Sequence, residues 1–215
     1  EAFIDETDDT LCIVMEFLAG GDLYQKISEC RKKRALIPEK LIWRYLAQLA
    51  SGLRHLHAMK IVHRDLKSAN VFLSEDLRQI KLGDLNVSKV VKNRLVYTQT
   101  GTPYYASPEV WRDEPYDVKS DIWSLGCVLY EMCNRCPPFN GRKMEELYQK
   151  VQKGIFERVA TVYSEDLNQI VSSCLKVTPL LRPTCDEILD NPAVKAHTRD
   201  LEADFDPYMN KGLLN

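Results

Sequence analysis

Apolar residues fall along this chain in runs and stripes separated by short polar breaks, and each pattern predicts an element. Leu11 to Phe17 (LCIVMEF) is an apolar run that reads as a strand. Gly20-Gly21 ends it, and Asp22 is placed to cap a helix of about ten residues. Pro38 takes the first position of a long helix. In it Leu41, Tyr45, Leu46, Leu49, Leu53 and Leu56 recur at three- and four-residue steps and form one buried stripe. After His57 this period stops. Val71-Phe72-Leu73 and Ile80-Lys81-Leu82 are short, β-prone pieces that predict a small hairpin. Residues 84–109 show no period and contain Gly101, Pro103 and Pro108, so they read as a long loop, a class that commonly carries function. Asp121 to Cys133 (DIWSLGCVLYEMC) is apolar nearly all round, which marks a buried helix, and Pro137-Pro138 ends it. Helical patterns follow over 142–153, 164–175 and 184–190, punctuated by Pro179 and Pro183. From about Lys195 the chain turns polar, and 196–215 read as a tail. The pattern predicts an α+β fold, mainly helical with a few short strands and no internal repeat.

Composition narrows this picture. Of the 215 residues 45% are hydrophobic, which supports a packed core for about one domain and argues against wholesale disorder. The 29 basic residues nearly balance 31 acidic ones, so a broad nucleic-acid-binding surface is not expected. The basic run Arg31 to Arg34 reads as a solvated helix end. No apolar run approaches the roughly 20 residues that span a bilayer, so no membrane partner is expected, and no signal-peptide pattern is present. The seven cysteines are odd in number and scattered, which predicts free thiols in a reducing, cytoplasmic setting. Cys133 and Cys136 share Cys-x-x-Cys spacing. Zinc wants four ligands, however, and a redox pair gains its low pKa at a helix N-terminus, whereas this pair follows the end of an apolar helix. A metal or redox protein is therefore the least supported reading.

The chemistry is concentrated in His63-Arg64-Asp65-Leu66-Lys67-Ser68-Ala69-Asn70, between the long helix and the hairpin. Phosphoryl transfer needs a carboxylate near the attacking hydroxyl, a cation near the γ-phosphate and oxygen ligands for Mg²⁺. Asp65, Lys67 and Asn70 supply those groups; any one alone would be an ordinary loop residue. The string resembles the catalytic loop of protein kinases. Gly83-Asp84-Leu85-Asn86 then matches the Asp-Phe-Gly metal motif, Ser107-Pro108-Glu109 matches Ala-Pro-Glu, and Arg182 matches the arginine that pairs with that glutamate. Asp121 to Gly126 resembles the buried central helix of the large lobe. Finer details, Ile13-Val14-Met15-Glu16 with Gly20-Gly21-Asp22-Leu23, and Gly101-Thr102-Pro103-Tyr104-Tyr105-Ala106-Ser107-Pro108-Glu109, resemble the NIMA-related (Nek) serine/threonine kinases.

The resemblance implies an ATP- and Mg²⁺-dependent kinase acting on serine and threonine hydroxyls of proteins. It implies that Asp65 orients the hydroxyl and accepts its proton, that Lys67 neutralises charge on the transferring group, and that Asn70 and Asp84 hold Mg²⁺. Lys67 and Thr102 are the serine/threonine-type choices. Glu16 and Leu18 would present backbone groups to adenine, with Met15 as gatekeeper and Phe72 as floor; Asp22 would reach the ribose or serve only as a helix cap. Arg64 would pair with a phosphate on Thr98, or on Thr100 as second candidate. His63, Leu85, Glu109, Asp121 and Arg182 take structural places. By family, the resemblance also points to cytoskeletal, centrosomal or ciliary roles; no oligomeric state follows.

Two features depart from the kinase pattern. Leu85-Asn86 stands where Phe-Gly is usual, and asparagine accepts left-handed backbone less freely than glycine. Residues 1–14 supply no Gly-rich loop, strand lysine or helix glutamate. The expectation is a kinase domain over 1–195 made of hinge and large lobe without the small lobe, a fragment that alone transfers phosphate inefficiently. The alternative reading is a catalytically incompetent kinase-like scaffold or binding module.

Overall fold

The computed structural model describes residues 2–5, 7, 10–84 and 103–199. It opens with an antiparallel hairpin, β1 (Ala2–Asp5) on β2 (Thr10–Ile13), with Phe3 opposite Cys12 and Ile4 opposite Leu11. The strand expected over 11–17 thus stops at Ile13, which sits opposite Ala2, the first described residue of its partner strand. The hairpin leaves Phe3, Ile4, Leu11 and Ile13 more than half exposed.

Helix α1 (Leu23–Lys32) starts where Asp22 accepts the Gln25 N–H at 2.8 Å, and buries Leu23 and Ile27. Helix α2 (Glu39–Ala58) has Pro38 as its cap rather than as its first helical residue. Its buried face differs from the leucine stripe: Leu41 and Leu56 are only half-buried, while Ile42, Trp43, Ala47 and Ala50 are buried, because α2 packs against α4, α7, α8 and a second hairpin at once. That hairpin, β3 (Val71–Leu73) on β4 (Ile80–Leu82), sets Phe72 opposite Lys81.

Within the stretch expected as loop, Ser107 to Arg112 bound a short helix α3 (Pro108–Trp111), a single turn too brief to leave a periodic signal. Helix α4 (Val118–Asn134) begins three residues ahead of Asp121, set by a capping box between Asp117 and Ser120. From Ser120 to Cys133 every residue of α4 is buried. Each fully buried leucine or valine of such a helix contributes about 1.5–3 kcal/mol. α4 packs against α2 and against α6 (Glu165–Cys174); α5 (Met144–Lys153) lies on α3. Gly126 permits the α4–α6 approach, since a Cβ there would stand 2.7 Å from that of Cys174. Two more helices close the base: α7 (Cys185–Asp190), capped by Thr184, and α8 (Pro192–Thr198), capped by Asn191 and not expected from the polar sequence.

The cysteines are free thiols. Burial pushes those of Cys133, Cys174 and Cys185 up to about 12, which leaves them inert. Among the described residues no group of three or more His, Cys, Asp or Glu side chains could hold a metal ion. No helix of the described residues is long and apolar enough to cross a membrane.

Candidate active site

The loop from Ile61 to Lys67 has no regular structure, so its shape depends on side-chain anchors. The main anchor is Asp121, fully buried in α4. Its Oδ2 accepts the His63 N–H at 2.9 Å and its Oδ1 accepts the Arg64 N–H at 3.0 Å. His57 Nε2 lies 2.9 Å from Oδ2, and the Tyr116 hydroxyl donates to Oδ1 at 3.1 Å. Four donors compensate a carboxylate that burial alone would penalise. Arg64 adopts left-handed backbone (φ 68), which turns the chain so that Asp65 follows the anchored pair. His63 is buried, and its Nδ1 accepts the Asp65 N–H at 3.4 Å.

Asp65, Lys67 and Asn70 meet. Lys67 Nζ donates to Asp65 Oδ2 at 2.9 Å; Asn70 Nδ2 donates to the same oxygen at 3.2 Å and to the Asp65 carbonyl at 2.8 Å. A 3₁₀ turn, Ser68–Asn70, brings Asn70 back toward Asp65. The Gly83 N–H then donates to the Asn70 carbonyl at 3.0 Å, so Asp84 is delivered beside this group from the end of β4. Asp84 is exposed and also left-handed, at φ 57. Asn70 gives its amide hydrogens to Asp65 and keeps its Oδ1 as an acceptor. That oxygen and the Asp84 carboxylate fit a hard cation such as Mg²⁺, which binds few protein oxygens and keeps water or phosphate as its other ligands.

Gly83 also lies against Phe72, whose Cε2 would stand 2.4 Å from a Cβ at that position. Phe72 is half-buried on β3, and Asp22 pairs with it across an isolated bridge. The Asp22 side chain is occupied as a cap: Oδ1 takes the Gln25 N–H, and Oδ2 takes Gln25 Nε2 at 2.7 Å. Met15 is exposed and Leu18 half-buried, while the Glu16 carboxylate accepts from Lys81 Nζ at 2.5 Å. Leu85, Thr98, Thr100 and Thr102 lie outside the described residues.

Glu109 and Arg182 form a buried bidentate pair at 2.6 and 2.7 Å. Burial would raise the Glu109 carboxyl, but the Arg182 guanidinium and a bond from Ser120 at 2.7 Å outweigh it and hold the carboxyl below its ordinary range. Arg182 completes its donors on the carbonyls of Lys176, Lys119 and Val177, and its guanidinium lies 5.1 Å over the Trp123 ring. One tie escaped the sequence reading: the Tyr105 hydroxyl donates to Glu131 at 2.5 Å and lies 3.0 Å from Ser68 Oγ. It links α4 and the segment before α3 to the catalytic-type loop, and only a search for polar residues inside the apolar α4 pattern could have flagged Glu131.

Comparison with known proteins agrees with this arrangement. The sequence pattern of the family described as Protein kinase domain matches residues 2–194. The chain is similar to human serine/threonine-protein kinase Nek2, with 40% identity over 211 residues, covering 95% of the chain and 46% of that protein. It is similar to the probable serine/threonine-protein kinase nek2 of Dictyostelium discoideum, with 40% identity over 193 residues, 88% of the chain and 46% of that protein. It is also similar to the G2-specific protein kinase nimA of Emericella nidulans, at 34% identity over 220 residues, 89% of the chain and 31% of that protein. The chain thus spans less than half the length of these relatives. With the catalytic-type loop hung on the central helix and the Glu109–Arg182 pair in place, the chain belongs to the protein kinase domain family, alongside its NIMA-related serine/threonine members.

Proposed function

We propose that residues 1–195 form the hinge and large lobe of a serine/threonine protein kinase, with 196–215 as a tail beyond it, and that this lobe works in transfer of the ATP γ-phosphate to serine or threonine hydroxyls of proteins. The observation that carries the reading is the convergence of Lys67 Nζ and Asn70 Nδ2 on one oxygen of Asp65. Such a clamp fixes the carboxylate before a substrate arrives, which is the positioning that phosphoryl transfer requires. Asp65 then orients the acceptor hydroxyl and takes its proton. Lys67 offsets charge on the phosphoryl group as it moves. Asn70 and Asp84 hold Mg²⁺, which when bound neutralises the phosphate oxygens. Thr102 accompanies Lys67 as the serine/threonine-type choice.

Around this centre, backbone groups of Glu16 and Leu18 meet adenine between Met15 and Phe72, and Asp22 serves as a cap that can also face the ribose. Arg64 answers a phosphate on Thr98 or Thr100. Free thiols and the lack of a spanning helix among the described residues suit a cytoplasmic setting.

The test supplies the chain with the small lobe of a NIMA-related kinase, since residues 1–14 contain no lysine to meet the α- and β-phosphates. With γ-labelled ATP, Mg²⁺ and a mixed protein acceptor, phosphoserine and phosphothreonine are expected. Phosphotyrosine as the main product, or no transfer, would contradict the proposal.

A further inference from the structure

We propose that the corner between α1 and α2 is a docking surface for residues 200–206 of this same chain. The corner is strongly positive. Arg31, Lys32, Lys33 and Arg34 follow one another at the end of α1, all exposed, with Arg34 in left-handed backbone at φ 52. Arg135, at the end of α4, donates from Nη1 to the Ala35 carbonyl at 3.1 Å and so joins the same corner. Lys40, exposed in the first turn of α2, adds to it. The carboxylates that oppose it are outnumbered: Glu29 lies 3.8 Å from Lys33, Glu39 is engaged by Trp43 and Ser164, Glu131 is buried in α4, and exposed Glu157 acts on Cys136 from the side of Arg31 and Arg135. The last-turn cations Arg31 and Lys32 also suit the α1 dipole, but Lys33, Arg34 and Arg135 lie outside that helix.

The complementary sequence follows α8. Asp200, Glu202, Asp204 and Asp206 alternate with uncharged residues, and residues 200–206 contain no lysine or arginine. Their structure lies outside the described residues, but the point from which they leave is defined. His197, near the end of α8, stacks on Trp43 with centroids 4.6 Å apart and rings 4° from parallel. Trp43 Nε1 donates to Glu39 Oε1 at 3.0 Å. Glu39 follows Arg34 by five residues, a path of at most about 18 Å, and the helical turn to Trp43 with its ring stack adds roughly 10 Å, while the nine residues from His197 to Asp206 reach roughly 31 Å when extended. The acidic segment is thus released within reach of the basic corner, and being tethered there it has a high effective concentration. A nucleic acid is the less fitting occupant, since net charge is −2 and the tethered acids would repel it.

The test is zero-length carbodiimide coupling on the full chain, which joins carboxylates to amines in ionic contact, read by mass spectrometry of the monomer band. Links from Lys32, Lys33 or Lys40 to Asp200, Glu202, Asp204 or Asp206 are expected. Arg31→Gln/Arg34→Gln keeps the reactive amines but weakens the attraction, and the yield is expected to fall severalfold. Asp204→Asn/Asp206→Asn keeps two reactive carboxylates and should do the same. Salt near 1 M, where the screening length is about 3 Å, should also suppress the links. Unchanged melting by circular dichroism confirms that each variant folds. Absence of these links in the monomer, or a yield indifferent to the arginine variant, would overturn the proposal. Links confined to a dimer band would assign the segment to a second copy and overturn it too. Retention of DNA by the parent but not by the arginine variant, without links, would give the surface to nucleic acid instead.

Discussion

The Asp121 carboxylate accepts the backbone N–H of Arg64 at 3.0 Å across 57 positions of sequence. Through this bond and its companion to His63, the loop that bears Asp65 hangs from α4, in which every residue from Ser120 to Cys133 is buried. Asp121→Ala would take the acceptor from the buried His63 N–H, at about 1–3 kcal/mol, and from the part-buried Arg64 N–H, at less. Asp121→Asn retains one acceptor oxygen and should lose less. Urea unfolding of the three proteins checks the order; equal midpoints would mean that the loop is held by other contacts.

The Glu109–Arg182 pair joins α3 to the turn ahead of α7. Glu109→Ala strands a buried guanidinium and is expected to cost about 3–5 kcal/mol. The pH dependence has a definite sign. The folded Glu109 carboxyl is held below its ordinary value, so the stability it contributes is complete above about pH 4.3 and fades as pH falls through the lower folded value. In Glu109→Gln that part of the acid loss should vanish. An acid limb unchanged in the variant would contradict this.

Gly83 has no room for a side chain. An alanine Cβ would press on Phe72 at 2.4 Å, so one of the two must move. Overpacking of this kind costs about 1–3 kcal/mol. Because Phe72 is the proposed floor under adenine, Gly83→Ala should also weaken binding of a fluorescent ATP analogue. Full affinity in the variant would remove Phe72 from the nucleotide site.

Ser107 stands where the family pattern has alanine. Its Oγ is buried and without a hydrogen-bond partner among the described residues. Ser107→Ala removes that unsatisfied hydroxyl and should leave stability unchanged or raise it by up to about 1 kcal/mol. A thermal melt measures it, and a clear loss would show that the hydroxyl has a partner.

These relationships also show where the sequence is legible. Asp65, Lys67 and Asn70 sit within one turn and a loop, so their convergence can be read locally. The burial of α4 follows from a pattern that is apolar nearly all round, and its early start could have been read from Asp117 and Ser120. α3 and α8 are too short for any period to declare them. The make-up of the buried α2 face, with Trp43 and Ala50 in it, depends on which elements surround it, which no single stripe encodes. The Ser68–Tyr105–Glu131 tie spans separations of 37 and 26 residues and is a product of tertiary packing.

The most direct test of the central reading is phosphoryl transfer by the chain complemented with a NIMA-related small lobe, beside its Asp65→Asn variant. Loss of a positioned base typically costs about 10²–10⁴ in rate, so transfer should fall at least a hundredfold while Mg²⁺-dependent nucleotide binding persists. Equal rates in the two proteins would contradict the assignment of Asp65, and with it the account of this site.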